Sequence, residues 1–402
     1  MINIVVWGAG NNCKIVLEAI KKDKCNILGI VDSDRKRQNQ PFDDNLMIYA
    51  PEKLINDTID YVVISVYWYE EISQKCQEMG ISKDKIIEYW KLDKEYEFID
   101  INTRKIYDLE KELEKCRRHL SNIPYELGMR PGPQIWSAEK LLELIIKEKK
   151  SLTRFGDGEL EIMQRRERPW FQRVDIRLAE RLEEVFHSED GRVVIALADD
   201  FGSLEKYTEK AADAIRLYLD NGTREAVMKV IDMNRIYYDA YVTRPYIMYR
   251  NKKYAERIFK LFKEIWKKRD ILLVEGSNSY IGIRNDLFNG AGSIRRIIAP
   301  SRNAYSVYPQ ILSSVKSNIT EDTLVLVSLG PTASVLAYDL GIEGIQTLDI
   351  GQLDNEYEWF LKGAGDRVAI EGKCVAELRE CHEVELIADE EYEQQIIERI
   401  ET

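Results

Sequence analysis

Residues 152–159 have the sequence LTRFGDGE, a short strand that runs directly into an acidic turn. Gly156 and Gly158 permit a tight turn and let a ligand approach the backbone closely. Such a turn can aim the carboxylates of Asp157 and Glu159 at one cation, and Mg²⁺ or Mn²⁺ favours oxygen ligands together with substrate phosphates. We therefore predict a metal site at Asp157 and Glu159. A solvated surface turn is the alternative interpretation.

Four more predicted strands of the C-terminal region also end in polar loops. These loops are residues 275–279 (EGSNS), 300–303 (PSRN), 330–334 (GPTAS) and 351–354 (GQLD). Ligands of open α/β sheets bind just beyond the carboxyl ends of the strands. Because five such ends are polar, we predict a single binding edge.

Two features of this edge suit a diphosphate. Gly330-Pro331-Thr332 precedes a predicted helix, whose free N–H groups and dipole favour an anion. Arg244 and Arg302 are planar donors that can pair with phosphate oxygens. Ordinary N-capping by Thr332 and surface salt bridges of the two arginines are the alternatives.

Residues 349–360 (DIGQLDNEYEWF) place four acids among aromatic side chains. A carboxylate beside Tyr357, Trp359 or Phe360 would be partly desolvated, which raises its pKa toward the range of a general base. Aromatic faces also stack on sugars. The alternative is the start of an amphipathic helix, with acids near its positive end.

The composition excludes several classes of protein. A net charge of -12 argues against a nucleic-acid-binding protein, which needs a basic surface. The six cysteines are scattered without a CxxC pair, which suits a reducing compartment. The three histidines disfavour a His-based zinc site or a Ser-His-Asp triad. No signal peptide is evident, and no apolar run approaches the ~20 residues of a membrane span. We expect a soluble, cytoplasmic protein.

The pattern of strands and helices predicts an α/β chain with two Rossmann-like domains. Residues 1–96 form a small domain, 97–136 a helical linker that a Pro/Gly-rich hinge ends, and 137–402 a larger domain. In the small domain, Gly8 and Gly10 form a partial dinucleotide fingerprint, and Asp32 lies where a ribose-binding acid would stand. The third glycine of the fingerprint is missing. The sequence favours a structural or acceptor-docking role for this domain, and binding of NAD or another nucleotide is the alternative.

The C-terminal motifs, taken in order, resemble the GT-D glycosyltransferases, a family first known as a conserved domain of unknown function. The resemblance covers roughly residues 137–380 and rests on eight segments: 154–159, 242–246, 274–276, 285–288, 299–304, 329–333, 349–351 and 356–359. It implies a Rossmann-like transferase domain of GT-D type, a UDP-sugar donor and a divalent metal.

Site residues follow from the resemblance position by position. The D-x-E motif of the family corresponds to Asp157 and Glu159. Its C-terminal base corresponds to the Glu-Tyr-Glu segment, in which we favour Glu358 over Glu356. The family usually has a histidine where this chain has Gln352, and a glutamine donates hydrogen bonds but cannot titrate. This departure puts in doubt a role of position 352 in proton transfer or metal binding. The predicted substrate contacts are Arg154, Arg244, Glu275, Ser301, Arg302, Asn303, Gly330, Thr332 and Gln352.

The main hypothesis is transfer of a hexose from a UDP-sugar to a hydroxyl of a glycan, glycoprotein or glycolipid, with Mn²⁺ or Mg²⁺. One alternative is a non-catalytic sugar-nucleotide-binding protein of a glycosylation complex. Another is a Rossmann oxidoreductase or methyltransferase that uses the N-terminal domain. The sequence leaves the sugar, the acceptor, the linkage and the oligomeric state open, a homo-oligomer included.

Overall fold

The computed structural model describes residues 1–43, 45–54, 58–92, 94–166, 172–373, 375 and 389–401. The chain forms two compact units, Met1–Arg117 and Arg118–Thr402. The division falls inside the segment 97–136 that the sequence predicts as a linker. Cys374, Cys381 and His382 lie outside the described residues.

The first unit is built on a five-stranded parallel sheet in the order β3-β2-β1-β4-β5. Its strands are β1 (Ile2–Trp7), β2 (Cys25–Val31), β3 (Ile48–Tyr49), β4 (Tyr61–Ile64) and β5 (Ile86–Glu88). Its helices are α1 (Asn11–Ala19), α2 (Pro51–Leu54), α3 (Tyr69–Glu78) and the first part of α4 (Ile101–Glu126). Alternate residues of β1 enter different hydrophobic clusters, Ile4 and Val6 on one face and Val5 and Trp7 on the other. Both faces of the sheet are therefore covered, as in other parallel sheets.

The second unit is built on a nine-stranded sheet in which every described pair is parallel. Its strands are β6 (Gln134–Trp136), β7 (Ser151–Phe155), β8 (Val193–Leu197), β9 (Ile236–Asp239), β10 (Asp270–Gly276), β11 (Ser293–Ala299), β12 (Leu324–Ser328), β13 (Thr347–Asp349) and β14 (Ile396–Arg399). Its helices are α5 (Ala138–Glu148), α6 (Asp157–Met163), α7 (Ile176–His187), α8 (Glu209–Tyr218), α9 (Thr223–Met228), α10 (Lys252–Trp266), α11 (Tyr308–Ser317), α12 (Pro331–Ile342), α13 (Leu353–Lys362) and α14 (Glu390–Gln395).

The strand order of this sheet is β14-β11-β10-β12-β13-β7-β8-β9-β6. From β7 the chain adds β8 and then β9 on one side, and it then crosses over to build β10 to β13 on the other side. The two halves meet where β13 lies beside β7, at the pair Leu348 and Leu152. The carboxyl ends of β13 and β7 therefore flank the point at which the strand order reverses, which is where open α/β sheets bind ligands.

The core of the second unit also lies on both faces of its sheet. In β12, Leu324 and Leu326 belong to one hydrophobic cluster, whereas Val325 and Val327 belong to another. Helix α12 follows β12 and is buried over most of its length. Its first turn is thereby held at the carboxyl edge of the sheet.

Several elements differ from the sequence prediction. Strands β3, β6, β9 and β14 are short and were not predicted. Pro124 does not end the helix of the predicted linker, because α4 runs to Glu126. Proline removes one backbone hydrogen bond and strains the preceding turn. The helix continues for only two residues after Pro124 and ends before Gly128, whose φ of +69° is typical of a residue that follows a helix. Among the described residues, no helix combines the length and the apolar character of a bilayer span.

Candidate active site

Arg154 and Asp349 join the two halves of the sheet at the point of reversal. The Arg154 guanidinium donates from Nη2 to Asp349 Oδ1 at 2.7 Å and from Nε to the Asp349 carbonyl at 3.0 Å. Asp349 is 2% exposed, and burial raises its pKa against the opposing charge of Arg154. Arg154, a predicted substrate contact, is therefore anchored by Asp349 at the end of β7.

Hydrogen bonds tie the loops after β12 and β13 to this pair. Ser334 Oγ, on α12, donates to the Arg154 carbonyl at 2.8 Å, and Ser328 Oγ donates to the Gly351 carbonyl at 2.9 Å. Gly351 has φ +44°, and a Cβ placed there would lie 2.1 Å from Arg154 Nη2. The guanidinium can pack here because position 351 has no side chain.

The acidic turn lies at the start of α6. Asp157 is exposed, whereas Glu159 is half-buried and its Oε2 accepts the Gly156 N–H at 2.9 Å. Burial raises the pKa of Glu159, and the Arg154 charge opposes this shift. The structure brings the two predicted metal ligands into one turn, with the Glu159 carboxylate bonded to the backbone at the start of its own helix.

The loops after β8 and β9 add two side chains that sequence reasoning missed. Asp200 is 2% exposed, and its Oδ2 accepts the hydroxyl of Tyr241 at 3.1 Å. Burial raises the pKa of Asp200 to about 8, and the nearby charge of Asp157 adds to the shift. Burial also raises the pKa of Tyr241 well above its ordinary value, which the charge of Arg244 opposes. Polar residues directly after the strand 193–197 were the signal that would have revealed Asp200.

Glu356, a predicted catalytic candidate, holds the loop that carries Arg244. Its Oε2 accepts the backbone N–H groups of Tyr246 and Ile247, both at 2.9 Å, and the residue is 1% exposed. Helix α13 thereby fixes a loop that follows β9. Arg244 itself is half-buried.

Glu358, the favoured candidate base, belongs to a polar network on α13. Its Oε1 accepts from Asn285 Nδ2 at 2.8 Å and from Lys373 Nζ at 3.0 Å. Lys373 Nζ also lies 2.6 Å from Asp354 Oδ2. Glu358 is 7% exposed, so little of this carboxylate faces solvent.

The predicted contacts after β10 and β11 are more remote from β7. Glu275 has no exposed surface, and it pairs with Arg296 at 2.6 Å and accepts the Ile281 N–H at 2.9 Å. This carboxylate is enclosed by protein and stabilises the interior. The ends of β10 and β11 lie three and four strand positions from β7, which corresponds to roughly 14 and 19 Å.

The remaining predicted contacts after β11, β12 and β13 differ in exposure. Ser301 and Arg302 are exposed, and Asn303 accepts the Arg173 N–H at 2.8 Å. Gly330 is exposed with φ +55°. Thr332 is fully buried, and in the described part of the chain its Oγ1 has no hydrogen-bond partner. Gln352 is half-buried and accepts from Asn355 Nδ2 at 3.3 Å. Because they follow β12 and β13, which run parallel to β7, Gly330 and Gln352 lie at the same edge of the sheet as Arg154.

In the first unit, the predicted nucleotide contact Asp32 is bonded to the turn between Gly8 and Gly10 and to its own loop. Asp32 accepts the Ala9 N–H at 2.8 Å and the Asp34 N–H at 2.9 Å, and it lies 3.5 Å from Arg37 Nη1. Gly8 has φ +109°, and a Cβ there would lie 2.7 Å from Ser65 Oγ. Gly10 precedes α1 without a side-chain cap. The acid at position 32 thus fixes the turn after β1.

One group of potential metal ligands lies away from the sheet edge. Ligand atoms of His119, Glu209 and Asp213 lie within 4.8 Å of one another, and no other such group occurs among the described residues. Arg216 Nη1 lies 3.0 Å from Asp213 Oδ1 and 3.1 Å from His119 Nε2. The guanidinium already supplies the positive charge, so this group has a structural explanation. His119 is thus half-buried and hydrogen-bonded to Asp213.

Both units match known families. Residues 152–378 match the model of the glycosyltransferase GT-D fold, and residues 1–87 match the C2185-like N-terminal family. A probable glycosyl transferase Gly of Streptococcus gordonii is 37% identical over 266 residues, which are 65% of this chain and 38% of that protein. Glycosyltransferase GlyD of Streptococcus pneumoniae serotype 4 is 35% identical over 268 residues, which are 66% of this chain and 32% of that protein. The chain thus spans about a third of the length of these relatives.

Two solved structures agree with the sequence matches. The highly conserved domain of unknown function 1792, described as having a distinct glycosyltransferase fold, is 34% identical, with a TM-score of 0.63 over 67% of this chain and 96% of that one. A glycosyltransferase with this domain from Streptococcus sanguinis is 36% identical, with a TM-score of 0.62 over 67% of this chain and all of that one. The chain belongs to the family of glycosyltransferases with the GT-D fold.

Proposed function

We propose that the second unit transfers a hexose from a UDP-sugar to a hydroxyl of a glycan, glycoprotein or glycolipid in the cytoplasm. The observation that carries this proposal is the reversal of strand order between β13 and β7, beyond which Arg154 packs against Gly351 and the exposed Asp157 begins α6. Open α/β sheets bind nucleotide diphosphates at such a reversal of strand order. The exposed start of α12 at Gly330 adds a helix N-terminus for the phosphates.

The residues at this edge fit a divalent cation of the oxygen-binding kind. Asp157 is exposed at the start of α6, and Asp200 Oδ1 is buried without a donor among the described residues. Sites for Mg²⁺ and Mn²⁺ commonly use one or two carboxylates and leave other positions to water and substrate phosphates. Bound Mn²⁺ or Mg²⁺ supplies positive charge that stabilises the departing diphosphate.

Glu358 is the proposed general base for the acceptor hydroxyl. Its carboxylate is oriented by Asn285 and Lys373, so a proton acceptor is held at a defined position on α13. Glu356 is less suited to this role because it is only 1% exposed and its Oε2 holds the backbone of Tyr246 and Ile247. Base catalysis by Glu358 would make the enzyme inverting.

The first unit is proposed as a small Rossmann-like module. Its strand order, with β1 at the centre of β3-β2-β1-β4-β5, supports this proposal. Because Asp32 accepts two backbone N–H groups and faces Arg37, we favour a structural or acceptor-docking role over binding of NAD.

The proposed function is tested with UDP-, GDP- and dTDP-sugars in the presence and absence of Mn²⁺. We expect UDP-sugars with Mn²⁺ to raise the melting temperature, because a ligand of the folded state stabilises it by mass action. We also expect slow hydrolysis of one UDP-sugar, which Asp157→Ala with Glu159→Ala should abolish. Unchanged hydrolysis in that double variant would contradict the proposal. Binding of UDP without turnover on any acceptor would instead favour a non-catalytic sugar-nucleotide-binding protein.

A further inference from the structure

Asp200 and Asp157 lie in neighbouring loops at the same edge of the sheet. The Ala198 N–H donates to the Phe155 carbonyl at 2.9 Å, which joins the ends of β8 and β7 one residue beyond their last paired residues. Asp157 follows Phe155 by two residues, and Asp200 follows Ala198 by two residues. The charge of Asp157 is the largest of the charge effects that raise the pKa of Asp200. The loops that carry the two carboxylates therefore lie next to each other at the carboxyl edge of the sheet.

Asp200 has an oxygen without a hydrogen-bond donor. Its Oδ2 accepts from the Tyr241 hydroxyl, but no donor in the described part of the chain reaches its buried Oδ1. A buried polar atom left in this state costs about 1–3 kcal/mol. This oxygen lies beside an acidic loop. A positively charged or hydrogen-bond-donating ligand at Oδ1 would remove the cost.

The neighbouring acids do not share this property. Asp239 is equally buried, and its oxygens accept from the Tyr241 N–H at 2.8 Å and the Tyr249 hydroxyl at 2.9 Å. Asp199 is paired with Lys206. The open oxygen is therefore specific to Asp200 among these three acids.

The Glu159 carboxylate is already hydrogen-bonded within its own turn. Its Oε2 accepts the Gly156 N–H and so stabilises the first turn of α6. A cation bound at Oε2 would compete with that hydrogen bond. Asp200 offers an oxygen for which no such bond has to be broken.

We propose that Asp200 Oδ1 is a ligand of the divalent cation, together with Asp157, and that Tyr241 is a positioning residue that orients the Asp200 carboxylate. The inference rests on the proposed function, since it assigns a further ligand to the metal of that site. Glu159 keeps its hydrogen bond to the Gly156 N–H at the start of α6. The cation has two carboxylates from adjacent strand ends, and substrate phosphates complete its coordination.

The test measures Mn²⁺ binding directly, by the electron paramagnetic resonance signal of free Mn²⁺ in titrations of the whole chain with and without UDP. We expect Asp200→Asn and Asp157→Asn each to weaken Mn²⁺ binding at least about tenfold, because a neutral amide binds this ion less well than a carboxylate. Asp199→Asn is the matched control, since it removes the same charge from the adjacent residue. We expect its dissociation constant to stay within about threefold of the wild-type value.

Tyr241→Phe provides a second variant that keeps the carboxylate. We expect it to weaken Mn²⁺ binding less than Asp200→Asn does, and circular dichroism establishes that each variant is folded.

Mn²⁺ binding by Asp200→Asn within threefold of wild type, with loss in Asp157→Asn, would overturn the inference and leave the proposed function intact. An equal loss in Asp199→Asn would also overturn it, because net charge alone would then explain the effect. A wild-type chain that binds no Mn²⁺ even with UDP would overturn both the inference and the metal dependence of the proposed function.

Discussion

At the scale of single residues, the absence of a side chain at Gly351 is what allows Arg154 to reach Asp349. We expect Gly351→Ala to displace the guanidinium, because the new Cβ would lie 2.1 Å from Arg154 Nη2. Gly363→Ala is the matched control, since Gly363 has φ +61° but nothing within 4 Å of a Cβ. The control should lose roughly 1–2 kcal/mol of unfolding free energy from backbone strain alone.

Urea denaturation and UDP titration distinguish these two glycine variants. Gly351→Ala should lose more stability than Gly363→Ala and should bind UDP at least about tenfold more weakly. Equal stability losses and unchanged UDP binding in both variants would show that Arg154 adjusts without consequence.

Asp239 gives the second unit a pH dependence with a defined sign. Burial is the main cause that raises the pKa of Asp239, to about 6, so the folded state binds a proton more tightly than the unfolded state. Protonation of Asp239 therefore adds to the free energy of unfolding at pH 4, and this contribution is lost as the pH rises through about 6. From pH 4 to pH 7.5, Asp239→Asn should gain about 2 kcal/mol of unfolding free energy relative to wild type.

Chemical denaturation of metal-free protein at several pH values measures this difference. If the stabilities of wild type and variant run parallel between pH 4 and pH 7.5, Asp239 has an ordinary pKa in the folded protein.

At the scale of elements, α13 carries two glutamates with different expected roles. Glu356→Ala should destabilise the protein by about 2–4 kcal/mol, because it leaves the buried N–H groups of Tyr246 and Ile247 unsatisfied. Glu356→Gln keeps an oxygen acceptor and should retain both stability and turnover.

Glu358→Gln should keep the fold and lower kcat by about 10²–10⁴, as expected for loss of a general base. A loss of kcat in Glu356→Gln as large as in Glu358→Gln would reverse this assignment.

The buried pair of Glu275 on β10 and Arg296 on β11 stabilises neighbouring strands. Glu275→Ala should cost about 3–5 kcal/mol, because Arg296 is 1% exposed and would be left without its counter-charge. Glu264→Ala on the exposed face of α10, where Glu264 pairs with Lys267, should change stability by less than about 0.5 kcal/mol. If Glu275→Ala weakens UDP binding without loss of stability, Glu275 contacts the donor directly.

At the scale of the whole molecule, the two units have separate hydrophobic cores. The clusters around β1 contain residues of the first unit alone, and those around β7 and β12 contain residues of the second unit alone. We expect calorimetry to show two unfolding transitions. UDP with Mn²⁺ at 100 times the dissociation constant should stabilise one of them by about 2.7 kcal/mol. The other transition should not move, and a shift of both would indicate that the first unit also binds the nucleotide or unfolds together with the second.

Much of the fold was predictable from the sequence. Long apolar strands such as β8 and β12 are buried on both faces, and this leaves a continuous apolar run that local analysis detects. Short strands were missed for the opposite reason. β9 has the sequence IYYD, and its pairing with β8 through Ala196 and Leu197 cannot be read from four residues.

The sequence by itself determined the α/β class, the polar loops at the carboxyl ends of the strands and the acidic turn at Asp157, because these follow from local patterns of apolar, glycine and charged residues. The tertiary structure decided which of these side chains remain available to a ligand. Arg154 is bonded to Asp349, Glu356 to the Tyr246 backbone and Glu275 to Arg296, all across distant parts of the chain. A buried carboxylate takes whichever donor folding brings to it, and that donor has no fixed spacing in the sequence. For the same reason Asp200, whose Oδ1 has no donor among the described residues, emerged as a ligand candidate from the structure alone.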